Sequence, residues 1–417
     1  MRGKKIYKAA FSQIDITPEY PTSLVGRYRP DSSQGILNRL FAQVLLFQEG
    51  SESFCLVAID SLGLTIQLAI VLRSKIAVIL DTEISHVMLN FSHTHSAPEP
   101  TLYAINGERY FNYLCEQIIT CAETAKNNFI VCKIGWSLTT ASIGENRRDG
   151  GTALDNRLGA LMIANADNYE PIVLVTRITA HANILPGENR SVSSDFIGIA
   201  REELQQFYGY PIMILQGAAG NIKAAGTNNI GEGNDDVFYR VAHSLVDSVK
   251  KLHFNLQEVT DIQMFSRDIT CISDIPTNEE ALKISYDYQT LETQNWLKAC
   301  EAFREKGVKT QQSQVEVNFL KLNEGCICGV ADEIFCELAL DAQKRTGNPL
   351  FFLNGYTNGC SGYLPSRAEW DKGGWEVFFS YFYYHTYSGR VMPYRVETAD
   401  LIVDFVVNEW AKMTVNP

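Results

Sequence analysis

The sequence predicts an α/β fold in which a mixed β-sheet is flanked by helices. Two observations lead there. Short β-branched or apolar runs alternate with longer amphipathic stretches along the chain. Some neighbouring runs are joined by tight Gly-containing turns, so the sheet cannot be purely parallel. No internal repeat and no Pro/Ser-rich linker divides the 417 residues, and one domain spanning 1–417 is expected.

In chain order, Leu40 to Gln48 and Ser53 to Ile59 read as a hairpin turning at Glu49-Gly50-Ser51. A helix follows over 63–80, then a short apolar strand from His86 to Phe91. Residues 108–126 place Phe111, Leu114, Cys115, Ile118 and Ala122 on one helical stripe, and a strand follows around Phe129 to Trp136. Pro171 to Thr179 is a β-branched run. Asp195 reads as the N-cap of a helix through Phe207. Pro211 to Leu215 is a strand entering the turn Gly217-Ala218-Ala219-Gly220. Asp235 to Leu252 is helical, and 278–306 reads as one long polar helix or two. Gln314 to Leu320 turns through Asn323-Glu324-Gly325 into Cys326 to Val330; Pro349 to Leu353 is another short strand; Ala399 to Met413 is a terminal helix. The alternation argues for a mixed sheet covered on both faces.

Composition narrows the function. Lys plus Arg number 36 against 48 Asp plus Glu, a net charge of −12 with no dense basic block, which argues against nucleic acid as the partner. The stretch Leu62 to Leu80 contains Gln67, Arg73, Ser74 and Lys75, so no transmembrane segment is expected. The basic start Met1 to Tyr7 is interrupted by Lys8, Ser12, Gln13 and Asp15, so no signal peptide is seen and a cytoplasmic location is expected. The ten cysteines lack CxxC spacing and read as reduced, mostly buried thiols, with Cys326 and Cys328 facing one side of a strand. A homo-oligomer stays open.

Chemistry collects directly after the strands. Phe91 leads into Ser92-His93-Thr94-His95-Ser96, Thr179 into Ala180-His181, and Val330 into Ala331-Asp332-Glu333. In open α/β sheets ligands gather beyond the carboxyl ends of the strands. A His-x-His pair alone is more often structural than ligating. Beside a third histidine and a carboxylate it has the composition of a zinc site, here at the carboxyl ends of the strands. His86, His243, His253 and His385 lack such company and read as structural or surface residues. The Gly217–Gly220 turn could receive an anion but lacks the ending of a nucleotide loop. Arg147, in Asn146-Arg147-Arg148, is equally a solvated turn residue or a fork onto a substrate oxygen. The run Trp375 to Tyr387 reads as core first and as the wall of a lipid or sugar pocket second.

At these residues the chain resembles the neutral/alkaline (non-lysosomal) ceramidase family, zinc amidases that cleave the N-acyl bond of ceramide. The resemblance runs through most of the sequence. It begins at Asp15-Ile16-Thr17-Pro18, Gly26-Arg27-Tyr28 and Ala58-Ile59-Asp60, and continues through Ser92-His93-Thr94-His95-Ser96-Ala97-Pro98, close to the family's THTHSGP. Asn146-Arg147-Arg148, Ala180-His181, Ser194-Asp195 and Gln216 to Asn221 follow, then Asp332-Glu333-Ile334-Phe335, Asn358 to Pro365 and Gly373-Gly374-Trp375-Glu376. The resemblance implies one Zn2+ held by His93, His181, Glu333 and Tyr363, with His95 and Arg147 catalytic. Tyr363 comes from the resemblance alone. It further implies substrate contacts at Gly220, Asn221, Lys223 and Trp375.

Three departures stand out. Gly220-Asn221-Ile222-Lys223-Ala224-Ala225 replaces the family's GD-x-S-P-N, putting Lys223 where those enzymes have an essential serine. Trp375 replaces a tyrosine, and the sequence given lacks the family's C-terminal immunoglobulin-like domain and secretion signal. The resulting expectation is a zinc-dependent amidohydrolase cleaving an N-acylated small molecule or lipid by metal-activated water, without an acyl-enzyme. Two other readings stand beside it: a zinc hydrolase of an ester or N-acetylated sugar, and a non-catalytic ligand-binding relative.

Overall fold

Alternating burial along paired strands organises the molecule into two stacked sheets. The computed structural model describes residues 5–27, 29, 31–101, 104–227 and 235–415; Met1 to Lys4, Tyr28 and Pro417, which the sequence reading used, lie outside the described residues. The larger sheet is built from β1 (Tyr7–Asp15), β2 (Phe41–Glu49), β3 (Glu52–Ile59), β4 (Val87–Phe91), β5 (Ile130–Thr140), β6 (Arg157–Asn165), β7 (Pro171–Ile178) and β8 (Ile212–Gln216). Its order is β8-β7-β6-β5-β1-β2-β3-β4, with the short segment Gln257–Glu258 added on β5. The two outermost pairs, β7–β8 and β3–β4, are parallel, and the pairs between them are antiparallel. The expected hairpin is present, with Glu49 opposite Glu52.

Each strand sends alternate residues to two different cores. From β2 and β3, Val44, Leu46, Cys55 and Val57 pack under the helices α1 (Ile66–Leu80) and α2 (Gly107–Lys126). Their neighbours Leu45, Phe47, Phe54 and Leu56 face the second sheet. From β6 and β7, Leu158, Ala160 and Leu174 pack under α3 (Asp195–Tyr208) and α4 (Asp235–Val249), while Leu161, Ile163, Val173 and Val175 face the second sheet.

That second sheet comprises β9 (Ile262–Asp274), β10 (Thr310–Leu322), β11 (Gly325–Gly329) and β12 (Phe351–Asn354), in that order, with only β11–β12 parallel. Ile262, Met264, Leu320, Leu322 and Ile327 meet the larger sheet; Cys326 and Cys328 face the opposite side, toward α7 (Cys336–Thr346) and the terminal helix Thr398–Val415. The stretch 278–306 resolves into α5 (Asn278–Ser285) and α6 (Leu291–Glu305), each started by a threonine cap. The expected mixed sheet flanked by helices and covered on both faces is present: helices cover one face, and a second sheet covers the other. The expectation at Asp195 is corrected. Ser194 holds the N-cap position, and Asp195, at φ 55°, accepts from the backbone N–H of Phe196 and Ile184 instead.

β4 and β8 lie at opposite ends of the strand order, yet the sheet curls until they meet. Asn90 Nδ2 donates to the Gln216 carbonyl at 3.0 Å, and Gln216 N–H donates to Asn90 Oδ1 at 2.8 Å. This closure brings the loops after β4, β7 and β8 to one place. Nine of the ten cysteines are buried and Cys360 is half-buried. Among the described residues, no helix is long and apolar enough to cross a membrane.

Candidate metal centre

His93 lies two residues past β4, with its N–H donating to the Ser61 carbonyl at 2.8 Å. Its φ is 60°, a left-handed conformation that costs a non-glycine residue about 1 kcal/mol and clusters at functional sites. His95 follows at the half-buried rim, its N–H on the Ala182 carbonyl at 3.0 Å. His181 follows β7 and is fully buried. Gln216, also buried, ties the two histidine loops together, because its side-chain amide donates to the Ala180 carbonyl at 2.7 Å and the Ser92 carbonyl at 3.2 Å.

The three imidazoles share one arrangement. Each Nδ1 rests on a backbone carbonyl: His93 on Leu62 at 2.6 Å, His181 on Ala219 at 2.7 Å, His95 on Gly26 at 3.0 Å. A carbonyl only accepts, so each Nδ1 bears the hydrogen and each Nε2 is left as a lone pair. The ligand-type atoms of His93, His95 and His181 all lie within 4.8 Å of one another. The Nε2 atoms of His95 and His181 are buried without a hydrogen-bond partner. Burial pushes the His181 imidazole down to about 4, helped by the nearby Arg147 charge; burial and the other two histidines hold His95 well below its ordinary value. Both are neutral at physiological pH, as ligating imidazoles must be.

Glu333 closes the cluster. Its Oε2 lies 3.2 Å from both His93 Nε2 and His181 Nε2. Two imidazole lone pairs and a carboxylate oxygen this close repel one another unless a cation lies between them. The Tyr384 hydroxyl donates to Glu333 Oε1 at 2.7 Å, and the Tyr356 hydroxyl to Oε2 at 3.4 Å. Tyr363 is the register partner of Glu333 in a two-residue parallel pair. Its hydroxyl accepts from Arg147 Nη2 at 3.1 Å, and burial followed by the Glu333 charge raises its phenol well above the ordinary value. Orphaned imidazole lone pairs, a buried carboxylate and an adjacent phenol fit a divalent cation in their chemistry.

The other expected residues divide. Arg147 reaches the cluster, held by Glu376 at 2.8 Å and by the Gly220 carbonyl at 2.6 Å. Gly220 supports it from behind: its N–H donates to the Ile334 carbonyl, and an added Cβ would sit 2.3 Å from the Glu333 carbonyl oxygen. The Asn221 amide is spent on the start of α7, accepting from Cys336 N–H and donating to Glu337. The Lys223 ammonium bonds the Thr227 carbonyl and faces Glu145 at 3.5 Å. Trp375 is 43% exposed, its ring 5.6 Å from that of Tyr383. Sequence reasoning missed Tyr356, Tyr384 and Gln216. Tyr384 lies in the aromatic run, where residue type alone could not separate core from site.

No protein-family model matches the chain, and no curated protein matches it by sequence. Solved structures do. A crystal structure of neutral ceramidase from Pseudomonas aeruginosa superposes with a TM-score of 0.74 at 16% identity, over 98% of this chain and 75% of that one. A ceramidase complexed with C2 gives 0.74 at 15% identity, over 97% and 74%. The fold is that of neutral ceramidases.

Proposed function

We propose that this chain is a metal-dependent hydrolase of the neutral ceramidase kind, cleaving the amide bond of an N-acylated substrate. The observation that supports the reading best is the convergence of tautomer-fixed imidazoles on a buried carboxylate. His93, His181, Glu333 and Tyr363 would hold the cation, with Zn2+ the ion best suited to this donor set. When bound, such a cation supplies Lewis acidity toward a carbonyl oxygen and toward water.

The protein's own residues do the remainder. Leu62, Ala219 and Gly26 carbonyls fix the imidazole tautomers, and Tyr384 and Tyr356 orient the Glu333 carboxylate. His95 is neutral and its Nε2 is unoccupied, so it can accept a proton there and return it to a leaving amine. Arg147, anchored by Glu376, keeps its cation beside the Tyr363 hydroxyl, where it can steady negative charge on a substrate oxygen.

Elemental analysis of the purified protein, followed by a panel of chromogenic amides, esters and acetamido-sugars, tests this. About one zinc per chain, lost in His93→Ala and Glu333→Ala, with turnover of the amides, is the expected result. Absence of metal after zinc is supplied, or turnover confined to esters or sugars, would overturn it.

A further inference from the structure

Asp195 is 1% exposed, and its carboxylate meets only backbone N–H groups among the described residues. Oδ2 accepts from Ile184 at 3.1 Å and from Leu185 at 3.4 Å, and Oδ1 accepts from Phe196 at 2.8 Å. The cations on the neighbouring elements are engaged elsewhere: Arg39 with Asp15, Arg201 with Asp60 and Arg190 with Asp31.

Burial pushes this carboxyl up to about 6, and the three N–H groups pull it down without offsetting burial. The folded value stands above the unfolded one of about 3.9. The ionised form therefore costs stability, and the loss sets in as pH rises from about 4 through about 6. The left-handed backbone, at φ 55°, adds to that cost. A charge that weakens the fold where it stands calls for another reason to be there, and its N–H partners supply one.

Ile184 and Leu185 belong to the loop after His181, and that loop carries the first histidine loop residue by residue. The Ser193 carbonyl accepts from the Thr94 hydroxyl at 2.7 Å, and the Ala182 carbonyl from the His95 N–H at 3.0 Å. The Ser96 carbonyl accepts from the Ser193 N–H at 2.9 Å. Arg29 ties the two loops again, with Nε on the Asn189 carbonyl at 2.7 Å and Nη2 on the His95 carbonyl at 3.0 Å.

We propose that Asp195 is a positioning residue for His95: its carboxylate holds the loop after His181 and the first turn of α3 together, and so fixes the platform under the His95 backbone. A carboxylate can do this because both oxygens accept, whereas an amide has one acceptor and cannot serve both sides. The role rests on the hydrolase reading above for its effect on turnover, but not for the geometry it fixes.

Asp195→Asn removes one acceptor at nearly constant size. Its effect is read by hydrogen–deuterium exchange at pH 7.5 and by turnover of the zinc-loaded protein on chromogenic amides. Wild type should protect the Ile184, Leu185 and His95 amides. The variant should lose that protection by about tenfold or more, the size of one hydrogen bond to a charged group, while the amides of β8 keep theirs. Its kcat should fall with KM little changed, because what moves is His95 and not a substrate contact. Between pH 5 and 7.5 the wild-type melting midpoint should fall relative to the variant's. A relative rise would mean that the charge serves the fold, and would overturn the proposal. Rapid exchange at Ile184 and Leu185 in wild type, or equal protection in both proteins, would overturn it as well. So would a variant that is unfolded or loses protection uniformly, since Asp195 would then have a structural role alone. Protection lost as expected, in a protein whose wild type hydrolyses no amide, would sustain the positioning role and refute the hydrolase reading. Turnover by wild type with unchanged protection in the variant would do the reverse.

Discussion

Glu333 and Tyr363 stand opposite each other in a parallel two-residue pair, with the Glu333 N–H on the Gly362 carbonyl at 2.8 Å. Register partners in neighbouring strands point to the same face. A carboxylate and a phenol from distant parts of the chain are therefore presented side by side without either loop having to find the other. The Gly220 N–H on the Ile334 carbonyl draws the turn after β8 against the same pair.

The hydroxyl of Tyr384 orients Glu333 from outside the proposed ligand set. Tyr384→Phe keeps the ring and removes only that donor. Zinc affinity, measured by competition with a chelator, should fall roughly 10- to 100-fold while far-ultraviolet circular dichroism is unchanged. Unaltered affinity would show that the carboxylate needs no such support.

Gln216 clamps both histidine loops from a fully buried position. Gln216→Leu is close in size and strands the Ser92 and Ala180 carbonyls. Urea denaturation should show a loss of about 3 kcal/mol, since each buried acceptor left unpaired costs about 1–3 kcal/mol. Zinc retention should fail with it. A variant as stable as wild type, with its zinc intact, would assign the clamp to other residues.

At Gly220 a methyl group has nowhere to go, because the atoms in its way are the backbone oxygens of Glu333 and Ile334. Gly220→Ala should destabilise by about 1–3 kcal/mol and displace Glu333. A thermal melt with and without zinc reads both effects: a lowered midpoint, and a smaller rise on adding the ion. Wild-type behaviour in both would mean that the strand pair can shift at no cost.

Asp155 is buried and takes Arg177 at 2.9 Å and Arg157 at 2.8 Å. Burial raises its carboxyl, but the two guanidiniums more than reverse that and hold it below the ordinary range. A depressed folded value means stability fully present above the unfolded carboxyl's pKa of about 3.9, and lost as pH falls through the folded value. Asp155→Asn should cost about 3–5 kcal/mol at pH 7 by stranding Arg177. It should also flatten the dependence of stability on pH below about 4. A parallel acid limb in the variant would place that dependence elsewhere.

Local pattern reached a definite part of this structure. The strands ending at Phe91, Ile178 and Gln216 were legible as short apolar runs, and so were the histidines and the acid that follow such runs. Three strands were not legible. Arg157–Asn165 is rich in Leu, Ala and Met, which favour helix when isolated, and it is a strand because it is paired on both sides and buried on both faces. Tyr7–Asp15 and Ile262–Asp274 take their identity from their partners in the same way. The stacking of one sheet on the other was also invisible, because alternation shows that two faces differ but not what covers them.

Residue types and their order along the chain set which side chains are available and that several of them leave from strand ends. Packing in three dimensions settled that β4 and β8, at opposite ends of the strand order, curl together through Asn90 and Gln216. It also decided that Tyr384 turns onto Glu333 while its neighbour Tyr383 stays 41% exposed, and that Arg29 comes to rest against the His95 carbonyl. The reason is one of range. A dihedral preference or a hydrophobic period acts over a few residues, whereas sheet closure and charge balance are settled among groups that meet only once the chain has folded.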